Sequence, residues 1–264
     1  RRVLFRSDLR LTFGEDVKNY EALRPTYPGT LFSAILAYEP MNAEKCALEI
    51  GSGTGQATLP ILKTGCRVEA VELSSSMAEY VEKKFSGNSR FSVSVSSFEA
   101  YEKEEESFDL IYAATAFHWI PEAEGYPKAF RLLKKGGALA LFWNRPYAAR
   151  ESDPLHREIQ KIYRKYRPDS AKFREEYEAK RYQRLQETME RYGFVDTEFH
   201  LFHRIREFTA DAYLALLNTY SDHRAMEPEI RKAFCGEMHR AISEYGNCMR
   251  VYDSIDLYLG RKPE

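Results

Sequence analysis

Residues 47–77 read ALEIGSGTGQATLPILKTGCRVEAVELSSSM, and this stretch leaves the chain few folds to choose from. Ala47-Leu48-Glu49-Ile50 is an apolar run of strand length. Gly51-Ser52-Gly53-Thr54-Gly55 follows it directly, and Gln56 to Lys63 has helical character, so the segment predicts a strand, a tight turn and a helix. Three alternating glycines exceed what a plain turn requires. They let the backbone take left-handed torsions and let a ligand approach it closely, while the start of the helix presents unpaired N–H groups. A second buried strand, 67–71, ends in Glu72, close to the ~20-residue interval at which an acid meets ribose hydroxyls in nucleotide-binding βαβ units.

Two cofactor classes use such a unit, and the glycine spacing separates them. The dinucleotide fingerprint is G-x-G-x-x-G, but Gln56 stands where its last glycine belongs, and Glu49 lies two residues ahead of the first. The stretch resembles motif I of the class I S-adenosylmethionine-dependent methyltransferases, E/D-x-G-x-G-x-G, and Glu72 matches that family's acidic residue after the second strand. The resemblance implies that Glu49 organises the loop or meets the methionyl amine. It implies that Gly51, Ser52, Gly53, Thr54 and Gly55 admit S-adenosyl-L-methionine, and that Glu72, with Leu73 beside it, holds the ribose.

The chain has 264 residues, enough for a substantial core, and its 39 basic and 40 acidic side chains give a net charge of −1. No global field draws it to nucleic acid or to an anionic membrane. No apolar run approaches the ~18 residues of a membrane helix and no signal-peptide core opens the sequence, so a soluble cytoplasmic protein is expected. The chain begins Arg1-Arg2 without a methionine, and nothing is drawn from residues 1–8. Cys46, Cys66, Cys235 and Cys248 form no C-x-x-C pair, which points to reduced thiols and to no metal site.

Ahead of the glycine turn, Pro25 and Pro28 divide residues 14–38 into a short helix, an extended turn and a second helix capped by Thr30. The string N-Y-x-x-x-R-P-x-Y-P is similar to one in small-molecule methyltransferases near the trans-aconitate methyltransferase group. There an N-terminal helix closes over the cofactor, which implies that Tyr20 and Arg24 face it, the aromatic ring toward the sulfonium and the guanidinium toward the carboxylate. Residues 75–85 read as an amphipathic helix carrying Met77, a candidate to cover adenine. Residues 91–95 read as a strand leading to Ser97 and Phe98, candidates for the adenine edge through a hydroxyl or a backbone N–H.

Residues 108–114 form a buried strand ending in Thr115-Ala116-Phe117-His118-Trp119. The F-D-L-x-x-A-x-x-A-F-H-W string resembles the fourth strand of the same subgroup, placing Ala114 beside the cofactor and His118 and Trp119 where the methyl group sits. His118 is a candidate general base, hydrogen-bond donor or loop-orienting group. Further on, a helix over 127–135 stopped by Gly136-Gly137 and a strand over 138–143 are expected, with Asn144-Arg145-Pro146 leaving the sheet, Asn144 a candidate acceptor contact and Trp143 a core residue first and an acceptor contact second. Residues 151–192 read as two amphipathic, heavily charged helices covering the sheet end. A strand over 195–208, a helix from a Thr209 cap to Tyr220, a helix over 227–245 and a last strand over 248–259 complete the chain. Tyr220 lies in a T-Y-S string shared with the same relatives, a candidate for the acceptor pocket.

The expected fold is thus α/β, a Rossmann-like doubly wound, mostly parallel seven-stranded sheet with an antiparallel last strand, plus a helical cap. The expected organisation is a lid over 9–40, a cofactor core over 41–146, a helical insertion over 147–192 and C-terminal strands over 193–264 with cap helices at 209–246. The expected function is methyl transfer to a small-molecule acceptor, a carboxylate among the options, by in-line displacement, with His118 and Tyr20 framing the methyl. An NAD(P)-dependent oxidoreductase and a non-catalytic S-adenosylmethionine-binding protein are the alternatives.

Overall fold

A computed structural model describes residues 26–147, 150–168 and 179–264. Tyr20, Arg24 and the short helix expected before Pro25 lie outside the described residues. Seven strands form one sheet in the order β3-β2-β1-β4-β5-β7-β6. They are β1 (Cys46–Ile50), β2 (Arg67–Glu72), β3 (Phe91–Val95), β4 (Phe108–Ala114), β5 (Leu133–Tyr147), β6 (Val195–Phe208) and β7 (Met249–Arg261). The first five pair in parallel, because each is separated from the next by a crossover. β7 returns antiparallel between β5 and β6, as expected of the last strand, although three helices and not a short turn separate it from β6.

The helices are α1 (Gly29–Tyr38), α2 (Thr58–Leu62), α3 (Ser75–Lys84), α4 (Glu122–Leu132), α5 (Pro154–Tyr166), α6 (Ala179–Arg191), α7 (Ala210–Leu217), α8 (Ser221–Arg224) and α9 (Pro228–Glu244). The central strands β1 and β4 are covered on both faces and accordingly read as continuous apolar runs. β3, whose apolar residues alternate with serine, is the half-exposed edge.

Alternation along each strand sends side chains to two cores. Leu48, Ile50, Ile111 and Leu139 meet Ala129 and Leu132 of α4 and Met189 of α6 on one face. Ala47, Leu110, Tyr112 and Phe142 meet Leu31 and Ile35 of α1, Ile61 of α2 and Val81 of α3 on the other. Each fully buried Leu or Ile contributes about 1.5–3 kcal/mol, so the sheet is a stiff platform able to hold strained turns at its edge. A third core joins Leu155 and Ile159 of α5 to Tyr213 of α7, Phe234 and Met238 of α9, and Met249 and Val251 at the start of β7. The two helices of the charged insertion therefore part company. α5 belongs to this cap, whereas α6 packs under β6 and β7 as a sheet-covering helix.

Several boundaries differ from the sequence reading. Pro28, extended at φ −67°, precedes α1 without a side-chain cap, and Thr30 falls within the first turn rather than before it. α2 is shorter than 56–63 because residues 53–57 remain in the turn. α4 begins at Glu122, not Pro127, since Glu122 and Glu124 favour a helix start through the macrodipole and a proline this near the N-terminus removes a single intrahelical bond. Gly136-Gly137 does not stop a helix. The pair lies within β5 where the register against β4 shifts, and a Cβ on Gly137 would come 2.9 Å from the Lys134 carbonyl oxygen. β5 runs on through Tyr147, so Asn144-Arg145-Pro146 stays in the sheet, held by antiparallel pairing with β7 as far as Tyr252. α7 stops at Leu217, before Tyr220, although Thr209 caps it as expected by accepting from the Ala212 N–H at 3.2 Å.

Candidate active site

The glycine turn sits at the C-terminal edge of β1, where parallel sheets open a ligand crevice. Gly51 has φ +72°, and a Cβ there would fall 2.6 Å from Cβ of Ala116. The Gly53 N–H, at φ +53°, donates to Glu72 Oε2 at 2.8 Å, and the Ser74 N–H donates to Glu72 Oε1 at 2.9 Å. One carboxylate at the end of β2 thus ties the glycine turn to the start of α3. Burial pushes the Glu72 carboxyl up, opposed by the backbone N–H groups of Ser74, Gly53 and Leu73.

Glu49 is fully buried on β1. Its Oε2 accepts from the Thr58 and Tyr112 hydroxyls, while Oε1 has no partner among the described residues. Burial raises its pKa to about 8. Ser52 Oγ, Thr54 Oγ1 and Gln56 Nε2 are likewise buried without a hydrogen bond among the described residues. Four such atoms around one turn mark a place built for a polar ligand.

β4 ends in Thr115, a non-glycine residue at φ +56°. Its hydroxyl shares a 2.8 Å hydrogen bond with that of Tyr27 and accepts from the Asn144 N–H at 3.3 Å. This kink turns the chain into a 3₁₀ turn, Phe117–Trp119, with Phe117 anchored edge-on against Tyr126 and the His118 and Trp119 rings 4.9 Å apart. His118 Nδ1 accepts a 3.0 Å hydrogen bond from the indole N–H of Trp143. Trp143 itself is buried on β5 and lines neither of the two cavities at the turn, in keeping with the core reading of it.

Two cavities meet at the turn. The larger, about 270 Å³, is lined by Gly51, Gly53, Glu72, Leu73, Met77, Ser97, Phe98, Ala114, His118, Trp119 and Tyr220 from the predicted set. The smaller, about 70 Å³, adds Glu49, Ser52 and Asn144. Gly51, Gly53, Ala114, Thr115 and Tyr220 wall both, making them two arms of one cleft. Thr54 and Gly55 line neither, Thr54 being fully buried and Gly55 lying against the Phe85 ring.

Among the lining residues that the sequence reading missed are Tyr27, Gln56, Thr115 and Asp222. Tyr27 lies in the R-P-x-Y-P string and Gln56 closes the glycine pattern, so both had a local signal. Asp222 had none, since it reaches the cleft from the cap, where it accepts from Arg167 Nη2 at 2.8 Å and pairs with His223 Nδ1 at 2.9 Å. Partial burial pushes its carboxyl up, but His223 and the Arg167 guanidinium hold it well below the usual carboxylate range.

Comparison with known proteins narrows what this cleft is for. Residues 47–137, which carry the glycine turn, Glu72 and the His118 segment, match the family model of a methyltransferase domain. An uncharacterised methyltransferase of Schizosaccharomyces pombe is 26% identical over 94% of this chain and 93% of its own length. Residues 47–137 form a methyltransferase domain, of the S-adenosylmethionine-dependent kind. A second S. pombe methyltransferase-like protein is 32% identical over 61% of each chain. Among solved structures, the phosphoethanolamine N-methyltransferase 2 of Haemonchus contortus, in complex with S-adenosylhomocysteine, superposes with a TM-score of 0.59 at 16% identity. It covers all of this chain and 61% of its own, and the likeness is one of fold.

The cleft of this methyltransferase fits the methyl donor of the class on its own geometry. The turn presents buried polar atoms unpaired among the described residues, Glu49 Oε1 among them and suited to an ammonium, and Gly51, with Ala116 only 2.6 Å from where a Cβ would stand, keeps the bend bare of a side chain. Among the described residues there is no group of three His, Cys, Asp or Glu able to hold a metal, and no helix long and apolar enough to cross a membrane.

Proposed function

We propose that this methyltransferase places a methyl group on a small molecule held where His118, Trp119 and Tyr220 face the mouth of the larger cavity. When bound, S-adenosylmethionine supplies a methyl group on a sulfonium, transferred with its C–S bond breaking toward sulfur as a lone pair of the acceptor attacks in line. The protein's own contribution is then alignment and exclusion of water.

Glu72 would take the ribose hydroxyls with the acceptor sites its two backbone N–H bonds leave over. Glu49, with its unpartnered oxygen in the smaller arm, would take the methionyl ammonium. Met77 and Phe98 would sandwich the adenine, with Ser97 at its edge. Residues 41–146 would serve as the cofactor core, residues 9–40 as a lid bringing Tyr20 and Arg24, and the cap around Tyr220 and Asp222 as the acceptor wall.

The observation that carries this reading is the meeting of the two arms at Gly51 and Gly53, which lets one ligand run from Glu49 past the turn to Glu72. A cavity of about 270 Å³ lies at the lower end of ligand-site volumes, so an adenosyl group leaves room for a small acceptor only. A carboxylate acceptor needs no base, and His118 and Tyr220 bring the donor groups of the cavity's described lining to that end of it. The test is calorimetry with S-adenosylhomocysteine and with NADH, followed by transfer of a labelled methyl group to a metabolite library. Binding of NADH alone would return the chain to the oxidoreductases, and cofactor binding without any labelled product would make it a binding protein.

A further inference from the structure

Asn144 is half-buried on β5 and lines the smaller arm, and the fold has decided which end of its amide faces the sheet. Its Oδ1 lies 3.4 Å from Nη2 of Arg204, which reaches it from β6 across β7. A guanidinium can only donate, so the amide turns its oxygen toward Arg204 and its NH₂ away. Arg204 is fixed in its turn. Its Nε and Nη2 donate to Oδ2 of Asp253 at 3.3 and 3.0 Å, and its Nη1 donates to the Thr26 carbonyl at 2.8 Å. Asp253 is buried on β7, where Arg206 also donates to its Oδ1 at 2.9 Å. The side-chain hydrogen bond of Asn144 is the one to Arg204, which leaves its NH₂ without a partner among the described residues.

Around the same arm, Ser52 Oγ and Gln56 Nε2 are buried donors without a partner among the described residues, and Glu49 Oε1 is a buried acceptor in the same state. One acid faced by three uncharged donors suits an α-amino-acid end, with an ammonium for the acid and a carboxylate for the donors. From this we infer that Asn144 serves the cofactor and not the acceptor. Its Nδ2–H joins Ser52 and Gln56 on the carboxylate of the amino-acid end of S-adenosylmethionine, and Arg204 is the positioning residue that turns the amide that way. The inference rests on the methyl-transfer reading of the cleft. The guanidinium stays behind the amide, and by bonding its oxygen it strengthens the NH₂ as a donor, so the cation acts on the ligand through Asn144.

The experiment is calorimetric titration of the full-length protein with S-adenosylhomocysteine and with 5′-methylthioadenosine, which keeps the adenosyl group and the thioether but has no amino-acid end. Asn144→Asp keeps an oxygen for Arg204 and puts a second oxygen, which cannot donate, in place of the NH₂. It should raise the Kd for S-adenosylhomocysteine about ten-fold or more and leave that for methylthioadenosine within about two-fold. A residue that only braced the sheet would tolerate the change, since its bond to Arg204 becomes an ion pair. Arg204→Met should weaken S-adenosylhomocysteine about three-fold or more, but less than about two-fold in an Asn144→Ala background. Arg204→Gln, whose amide can meet Asn144 either way round, takes its place should that variant not fold. An Asn144→Asp protein that binds S-adenosylhomocysteine within about two-fold of normal, or that loses both ligands alike, overturns the role of Asn144. Equal losses from the Arg204 variant in both backgrounds overturn that of Arg204. If the unmodified protein binds methylthioadenosine as tightly as S-adenosylhomocysteine, the inference fails while the cleft reading stands; if it binds neither, the cleft reading itself fails.

Discussion

Replacing Glu72 by alanine tests how the cleft holds its cofactor, because the structure allows the carboxylate's capacity to be counted. An ionised carboxylate has about four acceptor positions. Gly53 and Ser74 N–H groups occupy one on each oxygen, at 2.8 and 2.9 Å, and the Leu73 N–H also bears on the carboxylate, leaving one or two for the vicinal ribose hydroxyls. Hydrogen bonds to a charged group contribute roughly 1.5–3 kcal/mol each, and water entering the truncated site recovers part of that. A net loss of about 3 kcal/mol is expected, or a Kd for S-adenosylhomocysteine raised roughly a hundred-fold. Glu72→Gln should be intermediate, since its amide NH₂ must face either the Gly53 or the Ser74 N–H. His118→Ala, far from the ribose in this reading, should change the Kd by less than about three-fold. Isothermal calorimetry on variants whose circular dichroism matches the unmodified protein gives the comparison. A Glu72→Ala protein that binds within about three-fold of normal, or a larger loss in His118→Ala, would refute the reasoning.

Other consequences follow from the same geometry. Glu49 holds a proton up to about pH 8, and an ammonium beside its free Oε1 would expel it; S-adenosylhomocysteine binding at neutral pH should therefore release protons, seen as a buffer-dependent enthalpy that vanishes in Glu49→Gln. Because that carboxyl's pKa is raised on folding, the ligand-free native state holds a proton the unfolded chain has lost between the ordinary carboxylate range and about pH 8, so its contribution to denaturant stability should fall as pH rises through that window and level off above it. Gly51→Ala combines φ +72° with a Cβ 2.6 Å from Ala116 Cβ and should lower stability by about 1–3 kcal/mol in urea unfolding while abolishing measurable cofactor binding. Asp253 is buried between Arg204, at 3.0 Å, and Arg206, at 2.9 Å; Asp253→Ala strands both cations and should cost about 3–5 kcal/mol, a drop of roughly 10 °C in Tm by calorimetric scan.

The parts of this fold legible in the sequence are those whose determinants are local. Apolar runs and alternation sufficed for β3, β4 and β6, whose bounds were read as they stand. A glycine pattern with an acid after the next strand sufficed for the cofactor half of the sheet. The helix starts at Pro28, Ala57 and Glu122 were local misreadings, but the errors in the sheet share a cause, in that each depended on a partner distant in sequence. β5 extends to Tyr147 because β7, more than a hundred residues later, supplies its pairing, and no property of Asn144-Arg145-Pro146 announces that. Gly136-Gly137 resembles a helix stop until the backbone of β4 is brought against it. In the site, the positive φ of Thr115, the Trp143–His118 bond and the arrival of Asp222 from the cap arise only once the sheet is assembled.

This difference in legibility reflects a difference in constraint. The turn at Gly51 and Gly53 must reproduce backbone torsions and N–H positions toward one invariant ligand, so its sequence is narrow and readable. The acceptor wall is built otherwise. Tyr220 and Asp222 follow α7, α7 packs on α5 and α9 through a core separate from those of the sheet, and Asp222 is oriented by Arg167 at the end of α5. Any apolar set of suitable volume fills such a core. The cap can therefore change its side chains toward the cleft without disturbing Glu72 or the glycine turn. Only the His118 segment belongs to both, rooted in β4 with the cofactor half yet facing the cap across the larger cavity. Its ring is held from behind by the sheet, through the Trp143 indole, while the opposite wall varies.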